Sequence, residues 1–262
     1  MTITFEKYQG AGNDFVMIDN RRKNFPEKNS QKNIATLCNR HFGIGSDGLI
    51  LLEDHPTADF EMRYFNSDGH SSSMCGNGGR CAVAFASSLG MINDKTQFVV
   101  NGAVYHAAIN SDASISLQMQ DVNSVTQFDS HCFVDTGSPH HIAFVSDVGT
   151  VAVAEKGRKI RYGKPYGSAG SNVNFVSVEG KNLLAIRTYE RGVEAETLAC
   201  GTGAVAAALA AFKVQKVNKS PVTIKALGGD LEVFFKSEGE GFTQIVLRGP
   251  AQPVYKGRWY EE

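Results

Sequence analysis

The chain has 262 residues, enough for two domains of ordinary size, and its 42% apolar content is typical of a globular protein. Its 26 basic and 27 acidic side chains nearly balance, so charge offers no argument for a nucleic-acid or membrane-surface partner. Its five cysteines are odd in number and irregularly spaced, which indicates reduced thiols and not a disulfide framework.

The sequence also lacks the patterns of targeting segments. The N-terminal residues show no basic stretch followed by an apolar one, so no secretory signal is expected. The most apolar run, Leu198 to Phe212, is too short for a transmembrane helix. We therefore expect a cytoplasmic enzyme.

Short strand-like runs dominate the first half, and helical patterns cover Ser30–His41 and the residues after Cys75. Asn101-Gly102 lies between two of the runs and predicts a type I′ hairpin. The predicted strands are Ile3–Tyr8, Phe15–Asp19, Leu49–Glu53, Phe60–Phe65, Gln97–Val100, Ala103–Ile109 and Ser114–Met119.

The second half repeats this arrangement, with a helix after Cys200 and Gly228-Gly229-Asp230 as a turn in the final meander. So many hairpins around one long helix per half favour an α+β fold, with each antiparallel-rich sheet packed around a central helix. The polar stretch Asp121–Gln127 suggests domains 1–121 and 122–250. The predicted strands are Cys132–Asp135, His141–Val145, Asn174–Val178, Leu183–Tyr189, Val222–Ala226, Leu231–Lys236 and Gln244–Leu247.

The pattern Cys-Gly-x-Gly occurs twice, at Cys75 and Cys200, and each copy opens a run of small apolar residues. The cysteines lie 125 residues apart, close to half the chain, which suggests two similar halves with one thiol each at a helix N-terminus. Unpaired N–H groups and the helix dipole favour an anion there, so the thiol ionises readily. Two such thiols can remove a proton from one side of a carbon and return it from the other, as in a cofactor-independent racemase or epimerase.

A buried structural role is the competing interpretation for any cysteine. We expect that role for Cys38, Cys81 and Cys132. For Cys75 and Cys200 the flanking glycines argue otherwise, because they allow a ligand close to the backbone and a core cysteine does not need them.

Polar turns at strand ends supply further candidates. Glu190 and Arg191 precede Cys200 and could tune the thiol or hold a carboxylate. His140 follows a Gly/Pro turn and is a candidate partner for a thiol, whereas His141 starts a strand and is expected to be structural. The glycine-rich loops 10–14 and 43–48 match neither a dinucleotide fingerprint nor a P-loop. No Cys/His cluster has the spacing of a structural zinc site, and no metal is expected.

These features together resemble the diaminopimelate epimerase family, in family order from residue 5 to beyond residue 200. The segments that carry the resemblance are 5–16, 40–48, 65–69 with 74–78, 137–140, 171–174, 190–192 and 197–203. The resemblance implies two pseudo-symmetric α+β domains with the active site in the cleft between them, and a C-terminal segment, 251–262, that returns to the first domain. It also implies interconversion of L,L- and meso-diaminopimelate in lysine and cell-wall precursor biosynthesis.

The resemblance implies a role for each matching position. Cys75 and Cys200 would be the acid/base pair, and His140 and Glu190 would adjust them. Substrate binding is implied for Asn13, Asn66, Gly76, Asn77, Asn174, Glu190, Arg191, Gly201 and Thr202. The chain departs from the family pattern at Gly48, where some relatives have Gln, and at Ser138, where many have Asn.

No cofactor is expected. Without pyridoxal phosphate as an electron sink, fixed dipoles must stabilise the carbanion through the substrate carboxylate, and two helix N-termini can supply them. The sequence leaves open whether the protein acts as a homodimer.

Three alternatives also remain open at this stage. A racemase acting on proline or histidine would use the same two thiols, although Arg191 with three asparagines favours a substrate with a second polar end. A redox protein would use Cys75 and Cys200 as a disulfide pair but lacks a Cys-x-x-Cys motif. A binding protein without catalysis would have no need of two reactive thiols.

Overall fold

The computed structural model describes residues 2–26, 30–72 and 74–260, so residues 1, 27–29, 73, 261 and 262 of the predicted domain ranges lie outside the described residues. The strands are β1 (Thr2–Gly10), β2 (Asn13–Asp19), β3 (Gly48–Glu53), β4 (Phe60–Asn66), β5 (Lys95–Val100), β6 (Ala103–Ile109), β7 (Ile115–Gln118), β8 (Val125–Gln127), β9 (Cys132–Asp135), β10 (Pro139–Phe144), β11 (Asn172–Gly180), β12 (Leu183–Glu190), β13 (Ala195–Thr197), β14 (Val222–Ala226), β15 (Gly229–Glu238), β16 (Gly241–Gly249) and β17 (Gln252–Tyr260). The helices are α1 (Ser30–Cys38), α2 (Gly76–Ser88), α3 (Val153–Arg161) and α4 (Gly201–Lys213).

The chain separates into two compact units. The first unit extends to Leu117 and includes the segment from Pro250 onward, and the second is Gln118–Gly249. Among the described residues, no helix combines the length and the apolar character needed to cross a membrane.

The two units share one strand-pairing pattern. Strands of the first unit pair in the order β17, β1, β2, β3, β4, β5, β6, β7; β2–β3 and β4–β5 are parallel and the other pairs antiparallel. In the second unit the order is β8, β9, β10, β11, β12, β14, β15, β16, with β10–β11 and β12–β14 parallel. The antiparallel-rich sheets confirm the predicted α+β class.

When the chain is divided between β8 and β9, one outermost strand of each sheet comes from the other half of the chain. β8 follows β7 in sequence but pairs with β9 in the second unit, and β17 follows β16 but pairs with β1 in the first. Each half of the chain therefore contributes its last strand to the other unit.

One buried helix occupies the centre of each unit. α2 contacts β1, β2, β3, β4, β6 and β17, and α4 contacts β8, β9, β10, β11, β12, β14, β15 and β16. Residues 204–211 of α4 are alanine, valine and leucine, and they are inaccessible to solvent. Small side chains let the strands approach the helix closely, which explains the Ala/Gly-rich sequence of both helices.

α1 and α3 pack on the other faces of the two sheets. Ile34 and Leu37 of α1 join a core cluster with Leu49 and Leu51 of β3. In the second unit, Val153 at the start of α3 packs with Val173. β3 is thus buried on both faces, as its nearly continuous apolar sequence favours.

Several boundaries differ from the sequence predictions. α1 ends at Cys38 and not at His41, because the Asn39 side chain accepts hydrogen bonds from the backbone N–H groups of His41 and Phe42. The turn in the final meander is residues 227–228, and Gly229-Asp230 already belong to β15. Asn101 and Gly102 have φ angles of 51° and 79°, as the predicted type I′ hairpin requires.

Arg80 connects the start of α2 to the segment that enters β17. Its guanidinium is fully buried and donates hydrogen bonds to the carbonyl groups of Gly76 and Pro250 and to Oδ1 of Asn77. Burial lowers the pKa of this group.

We expect Arg80→Leu to lower the free energy of unfolding by about 2–4 kcal/mol, because it leaves buried acceptors without donors. Arg158→Leu on the exposed face of α3 is the matched control and should change stability by less than about 0.5 kcal/mol. Urea denaturation of both variants is the measurement, and equal stabilities would contradict this role of Arg80.

Candidate active site

Cys75 and Cys200 occupy the same position relative to the two central helices. Each is the residue before the first helical turn, with φ −106° and ψ 123° at Cys75 and φ −119° and ψ 112° at Cys200. Cys75 is partly exposed and Cys200 is 8% exposed. Both thiols thus lie beside the N–H groups of a helix start, as the repeated motif predicts.

The Cys75 centre consists of Cys75, Asn13 and Asn77. Sγ of Cys75 lies 3.7 Å from Oδ1 of Asn13, and Nδ2 of Asn77 donates a hydrogen bond to the same oxygen at 3.3 Å. Asn13 is the first residue of β2, directly after the Ala11-Gly12 turn. The turn of loop 10–14 therefore brings a carboxamide to the thiol.

A charged cluster beside the Cys75 centre holds loop 43–48 against loop 10–14. Arg40 forms ion pairs with Asp14 at 2.7 Å and with Asp47 at 2.8 Å, and the buried Lys7 pairs with Asp14 at 2.8 Å. These cations lower the pKa of Asp14 to about 2 despite the opposing effect of its burial. Nδ2 of Asn13 donates to the Asp47 carboxylate, so the cluster also orients Asn13.

The Cys200 centre consists of Cys200, Ser138 and Thr202. Oγ1 of Thr202 lies 3.4 Å from Sγ of Cys200 and 3.4 Å from Oγ of Ser138. Ser138 precedes β10 as Asn13 opens β2, and Thr202 is the second residue of α4 as Asn77 is of α2. The second unit therefore repeats the first centre with hydroxyl groups in place of carboxamides.

A buried polar network, the His140 network (His140, Asn174 and Thr188), lies beneath the Cys200 centre. Nε2 of His140 is 3.0 Å from Oγ of Ser138, and Nδ2 of Asn174 is 3.1 Å from Nδ1 of His140. Oγ1 of Thr188 donates to Oδ1 of Asn174 at 2.9 Å. Burial, assisted by the positive charge of Arg191, lowers the pKa of His140 to about 3, so its imidazole is neutral.

Asn174 was expected to contact substrate, and the structure places its side chain in the His140 network. Asn174 is fully buried, and its amide bonds Thr188, His140 and the carbonyl of His141. Thr188 and Asn172 were not predicted from the sequence as residues of the site. Nδ2 of Asn172 donates to the Pro139 carbonyl and Oδ1 accepts from the N–H of Arg191, which couples the Ser138 turn to Arg191. Two asparagines on one face at the start of β11, alternating with Val173 and Phe175, were the available signal.

The other predicted polar residues lie at strand ends. Glu190 ends β12 and accepts a hydrogen bond from Thr197 at 2.9 Å, and the Arg191 guanidinium donates to the carbonyl of Ala169 at 3.2 Å. Asn66 ends β4 directly opposite Gly48 in β3. The first-turn residues Gly76, Asn77, Gly201 and Thr202 follow the two cysteines.

The two departures from the family pattern have structural reasons. A Cβ atom at Gly48 would lie 2.5 Å from the carbonyl oxygen of Phe65 and 2.6 Å from the Tyr64 ring, so this site has no room for a glutamine. Ser138, in contrast, is fully integrated into the hydrogen bonds of the Cys200 centre.

The remaining cysteines have the structural role expected of them. Cys38, Cys81 and Cys132 are all buried, and burial raises the pKa of each, to about 12 for Cys81. Among the described residues, no group of three or more potential ligand side chains could hold a metal ion.

Comparison with known proteins identifies the family of these two centres. The sequence profile of diaminopimelate epimerase matches residues 5–125 and 132–254. The diaminopimelate epimerase of Flavobacterium psychrophilum is 52% identical over 250 residues, covering 95% of this chain and 97% of the relative. That of Chlorobaculum tepidum is 44% identical over 256 residues, covering 95% and 98%. The chain belongs to the diaminopimelate epimerase family.

Solved structures show that the fold of this diaminopimelate epimerase family member recurs in distant proteins. A phenazine biosynthesis protein of the PhzF family from Bacillus anthracis matches with a TM-score of 0.79 at 13% identity, with all of both chains covered. A probable proline racemase from Agrobacterium radiobacter K84 matches with a TM-score of 0.72 at 14% identity, covering 99% of this chain and 93% of the racemase. At such identities the likeness concerns the fold alone.

The neutral state of His140 should make the stability of this diaminopimelate epimerase family member depend on pH. The unfolded chain binds a proton at His140 as the pH falls through its ordinary pKa of 6.5, and the folded protein does so only near 3. The contribution of neutral His140 to the free energy of unfolding is therefore fully present above about pH 6.5 and is lost as the pH falls toward 3.

We expect the wild-type protein to lose about 2 kcal/mol more stability than His140→Asn between pH 7 and about pH 5. Urea denaturation at both pH values measures the difference. His106→Asn, which changes an exposed histidine of β6, is the control and should follow the wild-type dependence. Parallel pH curves for wild type and His140→Asn would contradict a neutral His140.

Proposed function

We propose that this protein interconverts L,L- and meso-diaminopimelate without a cofactor, with Cys75 and Cys200 as the two acid/base residues. One observation supports this most directly. The same arrangement, a cysteine at the start of a buried helix in contact with a polar side chain, occurs once in each of two units with the same topology. Family membership supports the substrate.

In this proposal the two thiols act on opposite faces of one α-carbon. A thiolate on one side removes the α-proton, and the thiol on the other side delivers a proton to the opposite face. The electron pair left on the carbon delocalises into the substrate carboxylate. N–H groups of Gly76, Asn77, Gly201 and Thr202 stabilise that charge, because two helix starts supply fixed dipoles at no cost of reorganisation.

The distal end of the substrate needs a separate set of partners. We propose that Asn66, Glu190 and Arg191 bind its ammonium and carboxylate groups, because they lie at the ends of equivalent strands, β4 and β12. Asn13 belongs to the substrate-binding set as well. Arg191 can bind a carboxylate in bidentate geometry, which proline cannot offer at a distal position.

His140 and Glu190 are proposed to adjust the cysteines. The hydrogen bond between His140 and Ser138 in the Cys200 centre supports this role for His140. The position of Glu190 beside Arg191, ten residues before Cys200, supports it for Glu190.

We also propose that the two domains have the boundaries predicted from the sequence, close to residue 121, with segment 251–262 in the first. A cytoplasmic location and a homodimeric assembly complete the proposal.

The first prediction concerns the substrate. The purified protein, with no cofactor added, should convert either L,L- or meso-diaminopimelate into a mixture of both and exchange the α-hydrogen with deuterated water. Chiral chromatography and mass spectrometry measure the two effects. Proline and histidine are the comparison substrates. Exchange on proline or histidine with none on diaminopimelate would support a racemase of different specificity and overturn this proposal.

The second prediction concerns the thiols. Cys75→Ala and Cys200→Ala should each reduce turnover by more than the ~10²–10⁴-fold typical of one acid/base group, because water cannot replace a thiol in a closed site. Cys132→Ala, a buried cysteine of β9, is the matched control and should keep nearly full turnover per folded molecule. Normal turnover in Cys200→Ala would overturn the two-base mechanism.

A further inference from the structure

Position 48 carries no side chain, although site residues of the first unit surround it. Gly48 of β3 pairs with Asn66 of β4 on one side and with Phe15 of β2 on the other. Asn13 stands two residues before Phe15 and therefore on the same face of the sheet. A side chain at position 48 would thus belong to the strand that separates Asn13 from Asn66, and both of these are in the proposed substrate-binding set.

The ring of Tyr64 occupies the space that such a side chain would take. In the register Tyr64 is opposite Ile50, so its side chain starts two residues farther along β3, on the same face as position 48. A Cβ atom at Gly48 would nevertheless lie 2.6 Å from Cε2 and 3.3 Å from the hydroxyl oxygen of Tyr64. The ring therefore leans along the strands toward Asn66, and its hydroxyl lies next to Gly48.

Packing of the ring fixes this direction. The rings of Phe15 and Tyr64 meet edge to face, with their centroids 5.9 Å apart and their planes at 78°. Phe15 lies under the first turn of α2, because a Cβ atom at Gly78 would lie 3.5 Å from its ring. Tyr64 is itself buried. The Tyr64 hydroxyl thus lies at the end of the sheet where α2 begins, which is also the end that holds Cys75.

The second unit has a polar side chain at the equivalent position. His140 of β10 pairs with Asn172 of β11 as Phe15 pairs with Gly48. The buried carboxamide of Asn172 donates to the carbonyl of Pro139, next to the Cys200 centre. Each unit therefore has a polar group at this position. In the second unit it belongs to the strand itself, and in the first it is the hydroxyl of a tyrosine on the neighbouring strand.

The departure from the family pattern at Gly48 is consistent with this substitution of one group for another. Where some relatives have a glutamine at this position, a carboxamide is available there. A carboxamide and a phenolic hydroxyl are both neutral, and each can both donate and accept a hydrogen bond. Glycine at position 48 therefore removes no polar group from the first unit, because Tyr64 supplies one.

We infer that the Tyr64 hydroxyl forms a hydrogen bond with the substrate, in the place that a side chain at position 48 would otherwise take. The inference rests on the proposed epimerase function and adds a substrate-binding residue to the Cys75 centre. Gly48 has a role in it as well, because only a residue without a Cβ atom leaves room for the leaning ring.

Tyr64→Phe tests the hydroxyl alone, because it keeps the ring and its packing against Phe15. The value of kcat/KM for diaminopimelate should fall about 10–100-fold, the effect of one lost hydrogen bond to a charged ligand. The fall should come mainly from a higher KM, because the contact exists in the bound substrate as well as in the transition state. A role of Tyr64 in packing only would leave both constants unchanged.

Tyr8→Phe is the matched control. Tyr8 is a buried tyrosine of β1 in the same unit, and its hydroxyl donates to Ser88 at the other end of α2. This variant should keep the KM and kcat of the wild type, with urea denaturation used to follow the folding of both variants. Wild-type KM and kcat in folded Tyr64→Phe would overturn the inference.

A second measurement uses the wild-type protein and does not depend on rates. Carbon NMR of protein labelled at Cζ of its eight tyrosines detects changes in the hydrogen bonds of each hydroxyl. The signals missing from Tyr64→Phe and Tyr8→Phe identify the two residues. The Tyr64 signal should shift when diaminopimelate is added and the Tyr8 signal should not. A Tyr64 signal that stays in place at saturating diaminopimelate would contradict a contact with the substrate.

Failure of this inference is distinguishable from failure of the proposed function. Epimerisation of diaminopimelate with equal constants in wild type and Tyr64→Phe would leave the function intact and refute the role of Tyr64. A wild-type protein that exchanges the α-hydrogen of proline or histidine and not of diaminopimelate would refute the proposed function. The same two Tyr64 measurements with that amino acid would then decide whether the hydroxyl binds substrate.

Discussion

Burial of most of each central helix is the constraint on which the rest of this structure depends. A helix enclosed by strands cannot offer a side face to a ligand, so only its ends are available for chemistry. Its N-terminus is the end with unpaired N–H groups and a positive potential. The residue immediately before the first turn is consequently the best place for an ionisable thiol, and Cys75 and Cys200 hold that place.

The two units keep the same strand pairing yet differ in the layer between sheet and helix. Where the first has the packed aromatic pair Phe15 and Tyr64, the second has hydrogen-bonded His140 and Thr188. Burying a polar side chain is costly unless every donor and acceptor has a partner, and the His140 network meets that condition. Equivalent backbones thus give the two cysteines different electrostatic surroundings.

Sequence patterns predicted the parts of this protein in which local signals and the global fold agree. The helices after Cys75 and Cys200, the Asn101-Gly102 hairpin and most strands fall in this group. α3 was missed because its nine residues are mostly charged, and β17 because most of its side chains are exposed and give no apolar alternation.

The inner layer of the site was harder to predict from sequence. Asn174 was expected to contact substrate because it lies in a segment that resembles the family. Such a segment does not show which way a side chain points. Only the strand register shows that it faces the helix, fully buried, against His140 and Thr188. Such partners are distant in sequence, and no local pattern connects them.

The exchange of outermost strands has a consequence for how the protein can be made. β17 completes the first sheet by pairing with β1. The first sheet is therefore incomplete until residues more than 240 positions after β1 have been synthesised. Until then β1 has an open edge, with unpaired backbone groups that invite association with other chains. The strands of the second unit are therefore synthesised before the first sheet can be completed. Completion of the first unit thus follows synthesis of the second, which exposes partially synthesised chains to aggregation.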